Sequence, residues 1–130
     1  MKINQPVTQR ELPFPKGHYL VSTTDLKGIT TSVNDPYVQL SGFDRDELIG
    51  QSHNVVRHPD MPPQAFADLW HTIKQNRPWR GIVKNRAKSG DFYWVDASVV
   101  PVRKNGQVTG YMSVRSEPTR EQIRVAQGGG

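Results

Sequence analysis

Ionisable side chains crowd the stretch 51–61 (QSHNVVRHPDM), where His53, Arg57, His58 and Asp60 fall within eight positions. A guanidinium can fork onto a phosphate or a carboxylate, and an imidazole can donate, accept or ligate. A second candidate is Asn85. Its strand alternation puts it on the same face as Val83 and Ala87, so an amide occupies a core position and needs partners. Trp79 shares that face, Tyr93 follows on the next strand, and Trp70 arrives from a helix. Gly81, Ala87, Ala97 and Gly110 are small residues that leave volume between those aromatics. A flat, polar, aromatic ligand would use such a space, with rings for walls and an amide for its heteroatoms. Each residue taken singly also fits a plainer role. The histidines suit a solvated loop, Asp60 suits a helix N-cap, and Asn85 could bond a stray backbone group or a buried water. The plainer role suits each residue singly, and their clustering beside a candidate cavity is what raises the case for a ligand.

Other chemistries are poorly supported. The chain has 130 residues and no cysteine, which excludes disulfides, thiolate metal sites and thiol nucleophiles. Absence of cysteine suits a reducing cytoplasm. Four histidines without a His-Glu-x-x-His pattern argue against zinc, but one imidazole suffices for haem, so His53 or His58 as a haem ligand stays open. No nucleophile elbow, phosphate loop or dinucleotide fingerprint occurs, so the chain does not read as an enzyme. Lys and Arg outnumber Asp and Glu by 17 to 12, yet the cations lie mostly along one strand face without a stacking ladder of aromatics. A protein contact, not nucleic acid, is expected there. No apolar run reaches membrane-spanning length.

The elements that must position these residues follow from periodicity. Residues 20–25 (LVSTTD) and 29–33 (ITTSV) read as a hairpin around Lys27-Gly28. Asn34 N-caps a short helix, and Asp44 with Glu47 forms a capping box for another. Phe66, Leu69, Trp70 and Ile73 are spaced i, i+3, i+4, i+7, the stripe of an amphipathic helix that Asn76 and Pro78 end. Three strands follow, over 79–88, 92–102 and 108–117. Alternation is expected to turn Arg80, Ile82, Lys84 and Trp94 outward, and to turn Val108, Gly110, Met112 and Val114 inward with Tyr111, Ser113 and Arg115 outward. Residues 119–127 suggest a short helix leaving the domain. The expectation is an α+β fold with one five-stranded antiparallel sheet and short helices covering one face. It divides into an arm (1–18), a body (19–118) and a tail (119–130) whose terminal glycines read as a linker or expression scar.

The run Ser22-Thr23-Thr24-Asp25-Leu26, then Val33-Asn34-Asp35, then Ser41-Gly42-Phe43, with Asn85 to Gly90, Trp94-Val95 and Gly110 to Arg115, resembles the PAS domain family over about residues 19 to 117. Within it, the segments 53–62 (HNVVRHPDMP), 66–70 (FADLW) and 78–86 (PWRGIVKNR) are similar to the sensor domains of bacterial aerotaxis receptors. That resemblance implies a PAS fold, a non-covalent FAD, redox sensing and no turnover. It carries flavin contact to Asn34, His53, Arg57, His58, Asp60, Trp70, Trp79 and Asn85. It also implies a cytoplasmic domain of an inner-membrane-anchored receptor, with a HAMP and signalling region of the same receptor as partner. The chemotaxis kinase and coupling protein follow indirectly, and a homodimer is compatible. Within the PAS family, a haem-binding gas sensor and a ligand-free dimerisation module are the alternatives.

Overall fold

The computed structural model describes residues 6–128; the glycines at 129–130 and the first five residues of the arm lie outside this range. Five strands form one antiparallel sheet in the order β2-β1-β5-β4-β3. They are β1 (Leu20–Asp25), β2 (Thr30–Val33), β3 (Trp79–Arg86), β4 (Phe92–Lys104) and β5 (Gln107–Ser116). Between β2 and β3 come α1 (Asp35–Ser41), α2 (Arg45–Leu48), a 3-10 turn (His53–Val56) and α3 (Pro63–Ile73). These pack on one face of the sheet, as the α+β expectation requires. The core there includes Leu20, Tyr37, Leu48, Val56, Tyr93 and Val95, and a satellite joins Ile73, Val99 and Tyr111.

Local chemistry explains the turns. Asn34 caps α1 through its Oδ1, which accepts from Tyr37 N–H and also from Val21 N–H, while its Nδ2 donates to the Tyr19 carbonyl. One side chain thereby ties the first helix to β1. The Asp44 N–H donates to the Glu47 carboxylate at 3.0 Å at the start of α2. Asp60, however, does not cap α3. The N-cap position belongs to Pro62, and the Asp60 carboxylate instead accepts from Lys84 Nζ at 2.9 Å. The connector is also less open than its polarity suggests, because Val55 and Val56 of the 3-10 turn are buried.

Two expectations about facing are corrected. The first concerns β5. Arg103 pairs with Val108, but Val102 pairs with Gly110, so Thr109 is an extra residue at a β-bulge. One extra residue reverses which side chains point to which face. Val99 therefore sits beside Ser113, and Ala97 beside Arg115. Tyr111, Ser113 and Arg115 face the helices, whereas Gly110, Met112 and Val114 take the other side.

The second concerns the basic outer face of β3 and β4. It is neither bare nor unpaired. Arg80 holds Asp96 through two hydrogen bonds, Lys84 holds Asp60, and Arg86 Nε donates to the Pro6 carbonyl. Trp94 is buried at 6% exposure. The cover comes from α4 (Arg120–Ala126), which lies back across the sheet instead of leaving it, and buries Ile123. The arm contributes too: residues 8–12 run along the free edge of β4 that β5 does not reach. Leu12 N–H donates to the Phe92 carbonyl at 2.8 Å, and Phe92 N–H donates to the Arg10 carbonyl at 3.0 Å.

Candidate functional site

A cavity opens between the sheet and α3. Its interior holds about 90 Å³, and with the open mouth the surrounding space is about 810 Å³. The sheet supplies Val83, Asn85, Val95, Ala97 and Val99, and from β5 Tyr111, Ser113 and Arg115. The helix supplies Phe66, Leu69, Trp70 and Ile73. The bulge in β5 is what brings Arg115 here.

Two glycines make the walls possible. At Gly81 a Cβ would stand 2.4 Å from the Trp79 ring, so only glycine lets that indole lie along β3. At Gly28, with φ +84°, a Cβ would stand 2.7 Å from the Trp70 ring and 3.0 Å from His53 Nδ1. The β1–β2 turn can therefore press against both aromatic groups. Trp70 stands edge-on to Tyr111 at 6.1 Å between centroids, and tilted to His53 at 5.4 Å. The Trp79 indole N–H donates to Asp68 of α3 at 2.8 Å, spanning the gap between the edge strand and the helix.

Three polar groups line these walls. Asn85 is 5% exposed, and its amide makes no hydrogen bond among the described residues. Its backbone pairs with Arg57, which clips the connector to the edge of β3. His53 Nδ1 lies 3.2 Å from the Gly28 carbonyl. A carbonyl only accepts, so the proton of the neutral ring sits on Nδ1 and Nε2 is left as an acceptor. That Nε2 is buried and has no partner among the described residues. Burial pushes the His53 pKa below its ordinary value, with the Arg115 and Arg57 charges adding to the effect. Arg115 is 9% exposed and is bonded at 3.1 Å to the Ser22 hydroxyl. Its guanidinium lies 4.8 Å from the centre of the Tyr37 ring, and no carboxylate pairs with it among the described residues. A buried cation so placed favours negative charge beside it.

The structure divides the residues named from the sequence. His53, Trp70, Trp79 and Asn85 line the cavity. Arg57 lies next to it, with its guanidinium 4.1 Å over the Phe66 ring. His58 and Asp60 form a second group behind β3. His58 Nδ1 accepts from Asp60 N–H at 3.0 Å, and its ring stands edge-on to Phe92. Lys84 holds the Asp60 carboxyl below the usual carboxylate range. Asn34 is committed to capping α1 and is not part of the cavity wall. Sequence reasoning missed Arg115, Ser113 and Tyr111 because it took β5 as unbulged.

The comparisons with known proteins agree with this architecture. A family model for the PAS fold matches residues 30–115. The chain is 52% identical over 121 residues to the aerotaxis receptor of Escherichia coli (strain K12), covering 93% of this chain and 24% of that receptor. It is 26% identical over 98 residues to a nitrogen fixation regulatory protein of Klebsiella pneumoniae, covering 75% of this chain and 20% of that protein. The chain thus spans a quarter or less of these relatives. Among solved structures, a light-oxygen-voltage domain described with a flavin analogue superposes with a TM-score of 0.73 at 15% identity, covering 85% of this chain and 84% of that one. The dark state of the blue-light photoreceptor Aureochrome1 LOV gives the same TM-score at 16% identity, over 85% and 82%. With two-thirds of its length matched by the family model and the five-stranded sheet to go with it, the chain belongs to the PAS fold family.

Proposed function

We propose that the chain is the flavin-binding, redox-sensing domain of an aerotaxis-type receptor, with FAD as its cofactor. The observation that carries this reading is the pairing of apolar, aromatic walls with two unspent polar groups, the Asn85 amide and His53 Nε2, and with an Arg115 guanidinium whose charge no carboxylate meets among the described residues. Such a set suits a planar heteroaromatic ring whose rim carries both donors and acceptors and whose charge changes. A flavin supplies reversible electron uptake. The chain's residues supply the rest. Val83, Val95, Val99 and Leu69 exclude water, which strengthens every polar contact inside. Arg115 favours added negative charge. Asn85 offers an oxygen and an NH₂, so it can answer a change of acceptor into donor by reorienting. Its backbone bridge to Arg57 ties that response to the connector, and the neighbouring Lys84 ties it to Asp60. The reorganisation of one buried hydrogen bond is worth roughly 1–3 kcal/mol, enough to shift a two-state equilibrium about five- to a hundredfold.

In this reading the domain performs no turnover. It lies on the cytoplasmic side of an inner-membrane-anchored receptor and signals through a HAMP and signalling region to the chemotaxis kinase and coupling protein. The chain has no cysteine, so no thiol–flavin adduct can form in it. The unpartnered His53 Nε2 also favours one second reading, a haem ligated through that atom.

The visible spectrum of the purified chain, with and without added FAD, tests both. Yellow protein that fluoresces on denaturation supports the flavin. A Soret band lost in His53→Ala supports haem. A folded, colourless chain that refuses FAD overturns the proposal. Arg115→Met is expected to weaken FAD binding about tenfold or more; an unchanged affinity would remove Arg115 from the site.

A further inference from the structure

The charges of this molecule are not spread evenly. β1 ends, β2 begins, β5 begins, β4 ends and β3 begins at one end of the sheet, as the antiparallel pairing requires. Lys27 sits in the β1–β2 turn. Arg103 and Lys104 sit at the tip of the β4–β5 hairpin, beyond the reach of β3, whose first residue pairs with Val99. Lys74 and Arg77 lie between the end of α3 and the start of β3. The Lys74 ammonium stands 5.5 Å from the Trp70 ring, and the β1–β2 turn abuts the same ring, so these elements converge on one rim. The rim crosses four inter-strand spacings, about 19 Å.

All five cations are exposed, and none takes part in an ion pair among the described residues. The contrast with the opposite end is sharp. There Arg45 pairs with Asp35, Lys88 with Glu47, Arg10 with Asp91 and Arg120 with Glu11. Of the carboxylates at this end, Asp25 accepts from the N–H groups of Lys27 and Ile29 within its own turn, and Asp68 accepts from the Trp79 indole N–H. Among these cations stands Leu26, 50% exposed at the tip of the β1–β2 turn.

We propose that this rim docks on an anionic lipid surface, with the five cations over the headgroups and Leu26 entering the interface. Clusters of Lys and Arg without acidic partners gain about fivefold in partitioning per cation near acidic lipids. An apolar side chain flanked by cations is the composition of an interfacial contact. A protein interface would centre on aromatic anchors, and a single-strand nucleic-acid surface would stack bases on them. The exposed large apolar residues among those described are Tyr19, Leu26 and Val125, and only Leu26 is on the rim. Docking here leaves α4, on the outer face of the sheet, and the arm, along the β4 edge, free to meet protein. The inference does not depend on the flavin reading, because none of the five cations nor Leu26 lines the cavity.

Cosedimentation of the 130-residue chain with vesicles tests it. Phosphatidylcholine vesicles should bind little, and vesicles with added phosphatidylglycerol should bind clearly, with the gain lost at high salt. Lys27→Glu, Arg103→Glu and Lys104→Glu together should lower partitioning well beyond about a hundredfold, since each reversal costs more than the roughly fivefold of losing one cation. The neutral set Lys27→Gln, Arg103→Gln and Lys104→Gln should fall between, and thermal melts confirm that each variant is folded. Leu26→Ser should weaken binding severalfold. Lys16→Glu, an exposed charge on the arm, should change it little. Equal binding to both vesicles, or equal effects of Lys16→Glu and the rim reversal, would overturn the proposal. So would tighter, rim-dependent binding to a DNA oligonucleotide at the same salt.

Discussion

His58 is the most deeply buried of the connector's ionisable groups, at 1% exposure. Its Nδ1 is committed as an acceptor to Asp60 N–H, so the neutral ring carries its proton on Nε2, which has no partner among the described residues. Burial holds its pKa below the ordinary value, and the Lys84 charge pushes the same way. His53 is depressed as well, first by burial. In both cases the unfolded chain binds a proton that the folded chain refuses. Stability is therefore full above the unfolded value of about 6.5 and falls as pH drops below it, by at most ~1.4 kcal/mol per pH unit for each group. Urea midpoints measured from pH 8 to pH 5 should decline on the acid side. His58→Gln, whose amide oxygen can still accept from Asp60 N–H, should flatten that decline; an unchanged slope would assign it elsewhere. The chemistry at this scale was partly legible. Asn85 announced itself as an amide at an apolar position of an alternating strand, and the cavity wall contains it. His58 and Asp60 stood out only by type and crowding, which say nothing of direction, and the fold turns them toward Lys84 behind the strand.

At the scale of elements, sequence patterning located the five strands and four α-helices because each is bounded by turn or capping residues, but it read the 3-10 turn at His53–Val56 as a polar connector. It misread the facing of β5 because a bulge carries no hydrophobic signature of its own. Thr109 is polar and unremarkable, yet its insertion reverses the strand and delivers Arg115 to the cavity. The same limit applies to contacts between elements. Asp68 lies on the polar face of α3, where periodicity assigns it to solvent, but it receives the indole N–H of Trp79 across the cavity's edge. That bond joins β3 to α3 and holds the ring over Gly81. Its loss should loosen the gap between strand and helix. With a flavin bound, Asp68→Ala is expected to speed release roughly three- to tenfold, the equivalent of one net hydrogen bond. Asp68→Asn keeps an acceptor and should release near the parent rate. Trp79→Phe, which lacks the N–H, should match Asp68→Ala, and combining the two should add nothing further. Stopped-flow dilution with flavin fluorescence reads the rates; additive effects would show that the two residues do not act through this bond.

The whole molecule is a sheet covered on both faces, by α1 to α3 on one side and by the arm with α4 on the other. The second cover was the least legible feature. The arm, rich in proline and without a period, offered no element to place, and the face it covers looked basic and wet. What the sequence could not show is that those cations are already paired, through Asp96, Asp60 and the Pro6 carbonyl. The arm is fixed at several points. Thr8 N–H donates to the Gly90 carbonyl at 2.9 Å, the Thr8 hydroxyl donates to Asp91 at 2.6 Å, Arg10 pairs with Asp91, and Arg120 of α4 donates to Glu11 at 3.0 Å. Trp94 lies between arm and helix and borders the grooves that each forms with the sheet. Removing residues 1–12 would break every one of these ties. Re-exposing about half of the Trp94 surface, on the order of 100 Å², costs about 2.5 kcal/mol. For a domain of this size that lowers Tm by about 10 °C. The same truncation should shift tryptophan emission to longer wavelength, a shift that Trp94→Phe abolishes while leaving Trp70 and Trp79 in place. If the truncated chain melts and emits like the parent, the arm is an ornament on the surface, and α4 alone shields the outer face.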